Sequence, residues 1–447
     1  MADMNKLMNF LERYITPFAA KVGNQRHLIS IRDGIIMAMP LIIVGSLFLI
    51  IANLPIHGYT EFMAHLFGSS WQDKLTYPVG ATFDILGLVI SFGIAYRLAE
   101  RYKVEPVSAG IISLAAFVLT TPHQTLFTNS TGKTEIVSGV LPINLLGSQG
   151  IFIAMIFALL STEIYRIIIQ KNITIKMPSS VPPAVAKSFS ALVPAFTVIV
   201  LVWIIRLIVG MTPWEDIPNM ISTWIGMPLK HLGGSLGGTL VIVFCISLLW
   251  MIGLHGDNIV GAVMSSIWLA LMDENRMAFQ DGKPLPHVIT QQFFDNFLNL
   301  GGTGATLAIV LLMLIVAKSK QMKQLGKLSI GASVFNISEP TVFGTPIVLN
   351  PFFMIPFILT PLVLTIINYV MMSLGLVAAP SGVAVPWTMP IVLSGFLATG
   401  HLSGAIIQII DLLIAMFIYY PFFRMWDKQR LREETKAVQK DKVSALS

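Results

Sequence analysis

The sequence predicts an all-α polytopic membrane protein, with about ten transmembrane helices and two re-entrant hairpins. Three observations carry that expectation. The 447 residues are 55% hydrophobic and only 12% charged, with a mean hydropathy of +0.76, whereas soluble domains carry roughly a quarter charged residues. Long apolar runs recur along the whole chain, most near the length that crosses a bilayer. From about Ser235 onward, glycine, proline and polar residues begin to interrupt those runs.

The apolar runs fall at roughly 28–53, 81–99, 106–121, 150–170, 188–211, 236–254, 258–272, 303–317, 352–377 and 403–423. Basic residues alternate between their connections. The stretches 1–32, 97–105, 164–187, 318–327 and 424–447 hold 23 of the 29 Lys and Arg residues. The other side has only Lys74, Lys133, Arg206, Lys230, Arg276 and Lys283. By the positive-inside rule the first set is cytoplasmic, so both termini lie inside and the number of spans is even. That asymmetry accounts for the net charge of +6 without nucleic acid as a partner. Residues 1–27 lack the charged start and apolar core of a cleavable signal.

The segments order themselves accordingly. Leu7, Leu11, Tyr14, Phe18 and Val22 recur at helical spacing, which makes 1–27 an amphipathic interfacial helix or a helix packed on the bundle. Residues 28–211 hold spans 1–5. A second amphipathic stretch occupies 212–235, through Ile217, Met220, Ile221, Trp224 and Ile225. Residues 236–423 hold spans 6–10, with hairpins near 287–300 and 333–350, and 424–447 is a charged tail. Both hairpin stretches are too short and polar to span, and Pro340, Gly344 and Pro346 forbid one straight helix in the second. Broken backbone at membrane depth survives only where it lines a cavity or is buried in protein, so the second half is where a ligand site is expected.

Two polar interruptions stand out: Gly253-Leu254-His255-Gly256-Asp257-Asn258 and Asn336-Ile337-Ser338-Glu339-Pro340. Ionisable groups inside a membrane protein usually mark a substrate or ion path. Glu339 is the sharpest candidate, either accepting hydrogen bonds from sugar hydroxyls or acting as a general base toward one. His255, Asp257 and Asn258 offer donors and acceptors on a kinked backbone, although Asp257 is equally suited to capping the following helix. Asp295, Asn296 and Asn299, with Gln291 and Gln292 nearby, offer polar groups from the first hairpin. Gly301-Gly302-Thr303-Gly304 permits close backbone approach but lacks the lysine of a phosphate loop. Trp387, in Pro386-Trp387-Thr388-Met389-Pro390, is either a stacking surface for a sugar or an interfacial anchor. Asp84 and Asp411 lie within spans as possible proton carriers. No metal-ligand spacing is present, so no cofactor is expected.

These motifs, in this order, resemble the enzyme IIC subunits of bacterial sugar phosphotransferase systems, in the lactose, cellobiose and diacetylchitobiose branch. The likeness runs from the amphipathic start through Pro178-Ser179-Ser180-Val181-Pro182 and Ser188-Phe189-Ser190-Ala191-Leu192. It continues through Gly253-Leu254-His255-Gly256, Gly301-Gly302-Thr303-Gly304-Ala305-Thr306, Asn336-Ile337-Ser338-Glu339-Pro340 and Pro386-Trp387-Thr388-Met389-Pro390. The resemblance implies a permease in the bacterial cytoplasmic membrane that works as a homodimer. Its first half would be a scaffold, and its second half a transport domain that carries a β-linked disaccharide inward. A phosphorylated IIB subunit, charged by IIA upstream, would then pass phosphate from its cysteine to the sugar 6-hydroxyl. On that basis His255 and Glu339 lie beside the hydroxyl, Trp387 packs on a sugar ring, and Asn296 and Thr341 are further contacts. Cys245, the single cysteine, sits mid-span and cannot be the phosphocysteine, so the donor is expected on a separate chain. The competing reading is an ion-coupled sugar carrier that releases unmodified sugar, with Glu339, Asp84 or Asp411 as its coupling carboxylate.

Overall fold

The computed structural model describes residues 13, 16–54, 58–128, 132–175, 177–178, 181–182, 189–345, 347 and 350–444. The expected amphipathic start falls largely outside them, as do parts of the Pro178–Pro182 motif and of the second hairpin. Each of the ten apolar runs contains a helix. Six helices are long and apolar enough to cross a membrane: Arg26–Ala52, Trp71–Arg101, Ser148–Gln170, Leu192–Gly210, Phe352–Ser373 and Leu402–Lys436. Counting the bent pair Ile217–Gly234 and Leu236–Met251 as one span makes seven. The expected ten is not reached by this measure, and the reasons are local. Pro106–Thr120 has 15 residues, and Leu307–Ile315 only nine because the turns at 301–306 consume the front of its apolar run. Gly256–Gln280 carries Asp257, Asp273, Glu274 and Arg276 along an otherwise apolar helix.

The described residues cluster into two compact units. The first is Gly23–His231 together with Ala262–Asp273. It contains α1 (Arg26–Ala52), α2 (Trp71–Phe83), α3 (Leu86–Arg101), α4 (Pro106–Thr120), a hairpin of β1 (Gln124–Thr128) with β2 (Thr134–Ser138), α5 (Ile151–Gln170) and α6 (Leu192–Gly210). Helices α1, α3, α4 and α5 pack together. A lipid-exposed bundle gains little from burying apolar faces, so close backbone approach and interhelical hydrogen bonds hold it instead. Gly34 and Gly93 bring α1 and α3 so near that a Cβ on Gly34 would lie 2.5 Å from the Ile94 nitrogen. Between α3 and α4 the hydroxyls of Ser91 and Ser113 meet at 2.8 Å.

The second unit takes in Leu232–Gly261 and Glu274–Ser447. It contains α7 (Leu236–Met251), both ends of α8 (Gly256–Gln280), α9 (Leu307–Ile315), α10 (Lys320–Val334), α11 (Glu339–Gly344), α12 (Pro351–Ser373) and α13 (Leu402–Ser444). The middle of α8, Ala262–Asp273, belongs to the first unit although the sequence places it within the 236–423 segment. Here polar side chains tie irregular backbone together. Asn275 donates to the carbonyls of His287 and Pro380 at 2.7 and 2.8 Å and accepts from His287 N–H at 3.0 Å. The start of α10 is held by α13: Asp427 accepts from the N–H groups of Lys318 and Ser319, and Glu434 from those of Lys320 and Gln321. Helix N-termini leave such donors without intrahelical partners, and carboxylates are well matched to them.

Candidate functional site

The two polar interruptions meet. Helix α7 stops at Met251, Gly253 turns the chain with φ +81, and α8 starts at Gly256. The restart is tight, because a Cβ on Gly256 would sit 2.2 Å from the Ile246 carbonyl oxygen. His255 caps α8 with its own ring: Nδ1 accepts the Asn258 N–H at 3.3 Å. In the neutral ring the other nitrogen, Nε2, then carries the proton. Nε2 faces Oε1 of Glu339 at 3.9 Å, and the two side chains are 43% and 48% exposed. Glu339 opens α11, the six-residue helix that Pro340 helps to start.

That separation is the informative quantity. It exceeds hydrogen-bond length, yet one oxygen atom placed between the two groups reaches both at about 2.8 Å. The imidazole N–H donates to that oxygen while the carboxylate accepts its proton. An alcohol hydroxyl, which both donates and accepts at one atom, meets that requirement.

Asn336 assembles the surroundings. It is 6% exposed, with φ +60, a left-handed conformation that asparagine tolerates better than most residues. Its Oδ1 accepts the Gly301 N–H at 2.8 Å, and its Nδ2 donates to the carbonyls of Trp387 and Met389 at 2.7 and 3.0 Å. One side chain thus joins the glycine turn, the Glu339 segment and the Trp387 segment. Gly302 fits the same junction: its φ is +95, and a Cβ there would lie 2.6 Å from Ser338 Cβ. Trp387 is half exposed, with its backbone held from behind by Asn336.

Other expected site residues are placed differently. Asp257 does not cap α8, since His255 does. Its Oδ2 accepts from the Trp250 indole at 2.7 Å and from the Thr303 hydroxyl at 2.5 Å. Asn258 is exposed and adds its backbone N–H to the cap. Asn296 is buried, donating to Gln292 at 2.8 Å and accepting on its carbonyl from Gln408. Thr341 is fully buried, its hydroxyl 3.3 Å from that of Ser333 on α10. Asp295 accepts from Gln291 at 2.9 Å. Asp411, buried in α13, accepts from Asn368 on α12 at 2.9 Å. Cys245 lies on an exposed face of α7. Among the described residues no group of three or more His, Cys, Asp or Glu is arranged to hold a metal ion.

Sequence reasoning assigned no role to Asn336, Trp250 or Thr303, whose side chains form these hydrogen bonds. Asn336 had a legible signal, an asparagine at a helix break beside Glu339. Trp250 had none, lying at the end of an apolar run.

Comparison with known proteins places this arrangement. The family described as "Phosphotransferase system, EIIC" matches residues 32–361. The chain is 58% identical to the lichenan permease IIC component of Bacillus subtilis (strain 168), over 99% of this chain and 100% of that one. It is 59% identical to the cellobiose-specific EIIC component of Geobacillus stearothermophilus, over 96% of both chains. The crystal structure of the transporter ChbC, the IIC component of the N,N'-diacetylchitobiose-specific phosphotransferase system, superimposes with a TM-score of 0.93 at 53% identity. That match covers 95% of this chain and 99% of that one. With its broken helices, its apolar spans and these relatives, the chain belongs to the EIIC family, the membrane-embedded sugar permeases of the phosphotransferase system.

Proposed function

We propose that the chain binds a β-linked disaccharide, cellobiose or N,N'-diacetylchitobiose, and moves it inward for phosphorylation at its 6-hydroxyl. The observation that carries this reading is the 3.9 Å gap between His255 Nε2 and Glu339 Oε1. In the reaction the hydroxyl oxygen attacks the phosphorus of a phosphocysteine on a separate IIB subunit, itself charged by IIA. The new O–P bond forms as the S–P bond breaks, the thiolate leaves on IIB, and the hydroxyl proton passes to Glu339. His255 holds the same oxygen by donation, and Glu339 is the general base. Trp387 offers its exposed ring to a sugar face, and Asp257, Asn258, Asn296 and Thr341 complete the proposed set, most of them at one remove. Residues 28–211 serve as scaffold and homodimer contact, 236–423 as the transport domain, and both termini lie in the cytoplasm. The names of the relatives and the half-exposed His255–Glu339 pair support this assignment.

The test is uptake of labelled cellobiose and diacetylchitobiose into vesicles, with and without phosphorylated IIB, followed by identification of the internal sugar. Sugar phosphate that forms only with IIB supports the reading and shows which disaccharide is preferred. Free sugar accumulating with an ion gradient, indifferent to IIB, overturns it in favour of an ion-coupled carrier.

A further inference from the structure

We infer that Trp250, locked by Asp257 and Thr303, is the platform that sets the spacing between His255 and Glu339. This rests on the reading that those two residues act on the sugar hydroxyl. Trp250 is 3% exposed at the end of α7, so its ring is a packing surface. The His255 imidazole lies against it, with ring centroids 4.5 Å apart and planes tilted by 47°. On the other segment Phe343 approaches the same indole at 6.4 Å. Phe343 follows Glu339 by four residues, which puts both on one face of α11. One indole therefore touches His255 directly and the helix of Glu339 through Phe343.

The indole is held in its plane. Its N–H donates to Asp257 Oδ2 at 2.7 Å, and the Thr303 hydroxyl donates to the same oxygen at 2.5 Å. Thr303 comes from the turn whose Gly301 N–H is bound by Asn336. The lock closes through backbone: Asp257 is two residues from His255, and Asn336 is three from Glu339. Asp257 and Trp250 are thus positioning residues, acting on the reacting hydroxyl only through His255 and Glu339. An error of about 1 Å in such a pair can cost on the order of a hundredfold in rate.

The experiment measures kcat and KM for sugar phosphate formation with phosphorylated IIB in excess, and sugar binding by calorimetry, on the full chain in vesicles or detergent. The variants are Trp250→Phe, Asp257→Ala and Thr303→Val, with Glu339→Ala as reference. Trp250→Phe removes the donor and keeps a ring, and it is expected to lower kcat about tenfold while KM and Kd stay within about twofold. Combining Trp250→Phe with Asp257→Ala is expected to add little, because one removes the donor and the other the acceptor of the same hydrogen bond. An unchanged kcat for Trp250→Phe overturns the inference, as does a loss that appears wholly in Kd, which would make Trp250 or Asp257 a sugar contact. Should Trp250→Phe fail to fold, Thr303→Val carries the same expectation: a kcat loss with Kd kept supports it, and no loss overturns it. Glu339→Ala separates the two levels. Retained phosphotransfer there overturns the site reading itself, whereas its loss alongside an intact Trp250→Phe overturns only the platform.

Discussion

Replacing Asn336 with alanine tests whether the second-half site is held by one neutral side chain. The substitution deletes three hydrogen bonds, to Gly301 N–H and to the Trp387 and Met389 carbonyls. Each is worth about 0.5–1.5 kcal/mol net, and a buried donor left unsatisfied costs about 1–3 kcal/mol. Gly301 is buried, so its N–H faces the larger penalty. Alanine must also keep φ near +60, a conformation that costs a non-glycine residue on the order of 1 kcal/mol. Together these give a loss of about 3–5 kcal/mol. Thermal unfolding in detergent, read by near-UV circular dichroism, reports the stability. Calorimetric sugar binding reports whether Trp387 has moved. Asn336→Gly separates the two contributions: it removes the conformational strain and should recover about 1 kcal/mol while restoring no affinity. An Asn336→Ala protein that unfolds and binds sugar like the wild type would refute the reasoning, because the three segments would then be held by something else.

Four further outcomes follow from the same geometry. Glu339→Gln keeps shape and hydrogen bonding but cannot accept the hydroxyl proton. It should bind sugar yet transfer phosphate at least about a hundredfold more slowly in a single-turnover assay, and near-normal transfer would reduce Glu339 to an orienting role. Gly302→Ala adds a Cβ 2.6 Å from Ser338 Cβ at φ +95 and should destabilise by about 2–4 kcal/mol, measured by the unfolding midpoint. Trp387→Phe should weaken sugar binding less than Trp387→Ala, as titration calorimetry would show if the exposed indole is a stacking surface rather than an interfacial anchor. Asp427→Ala removes two charge-assisted bonds to the start of α10 and should cost about 3 kcal/mol, with hydrogen exchange rising first at Lys318 and Ser319.

Much of the fold was legible because the bilayer imposes a coarse rule. Backbone must satisfy itself, so an apolar run of sufficient length is a helix, and each of the ten runs contains one. The span count was less legible because hydropathy does not show where a helix begins. In the run 303–317 the turns at Gly301–Thr306 take the first residues, and helix starts only at Leu307. The sharing of α8 between two units was likewise hidden. The largely apolar stretch Ala262–Asp273 does not say which neighbours it packs against.

At the candidate site the ionisable pair was legible in the sequence and the placement of its neighbours was not, and helical geometry explains the difference. Charged residues announce themselves in an apolar chain because their burial is costly. Their supports are neutral, buried and ordinary in composition, as Asn336, Thr303 and Trp250 are. Thr341 shows what helix phase adds. It follows Glu339 by two residues, and on a helix residues two apart do not share a face. Once Glu339 to Gly344 is a helix, a glutamate turned toward His255 sends Thr341 the opposite way, to Ser333. Phe343, at the fourth position, is carried back to the glutamate's face and onto Trp250. A six-residue helix thus decides which of its side chains can reach a ligand and which only hold the fold.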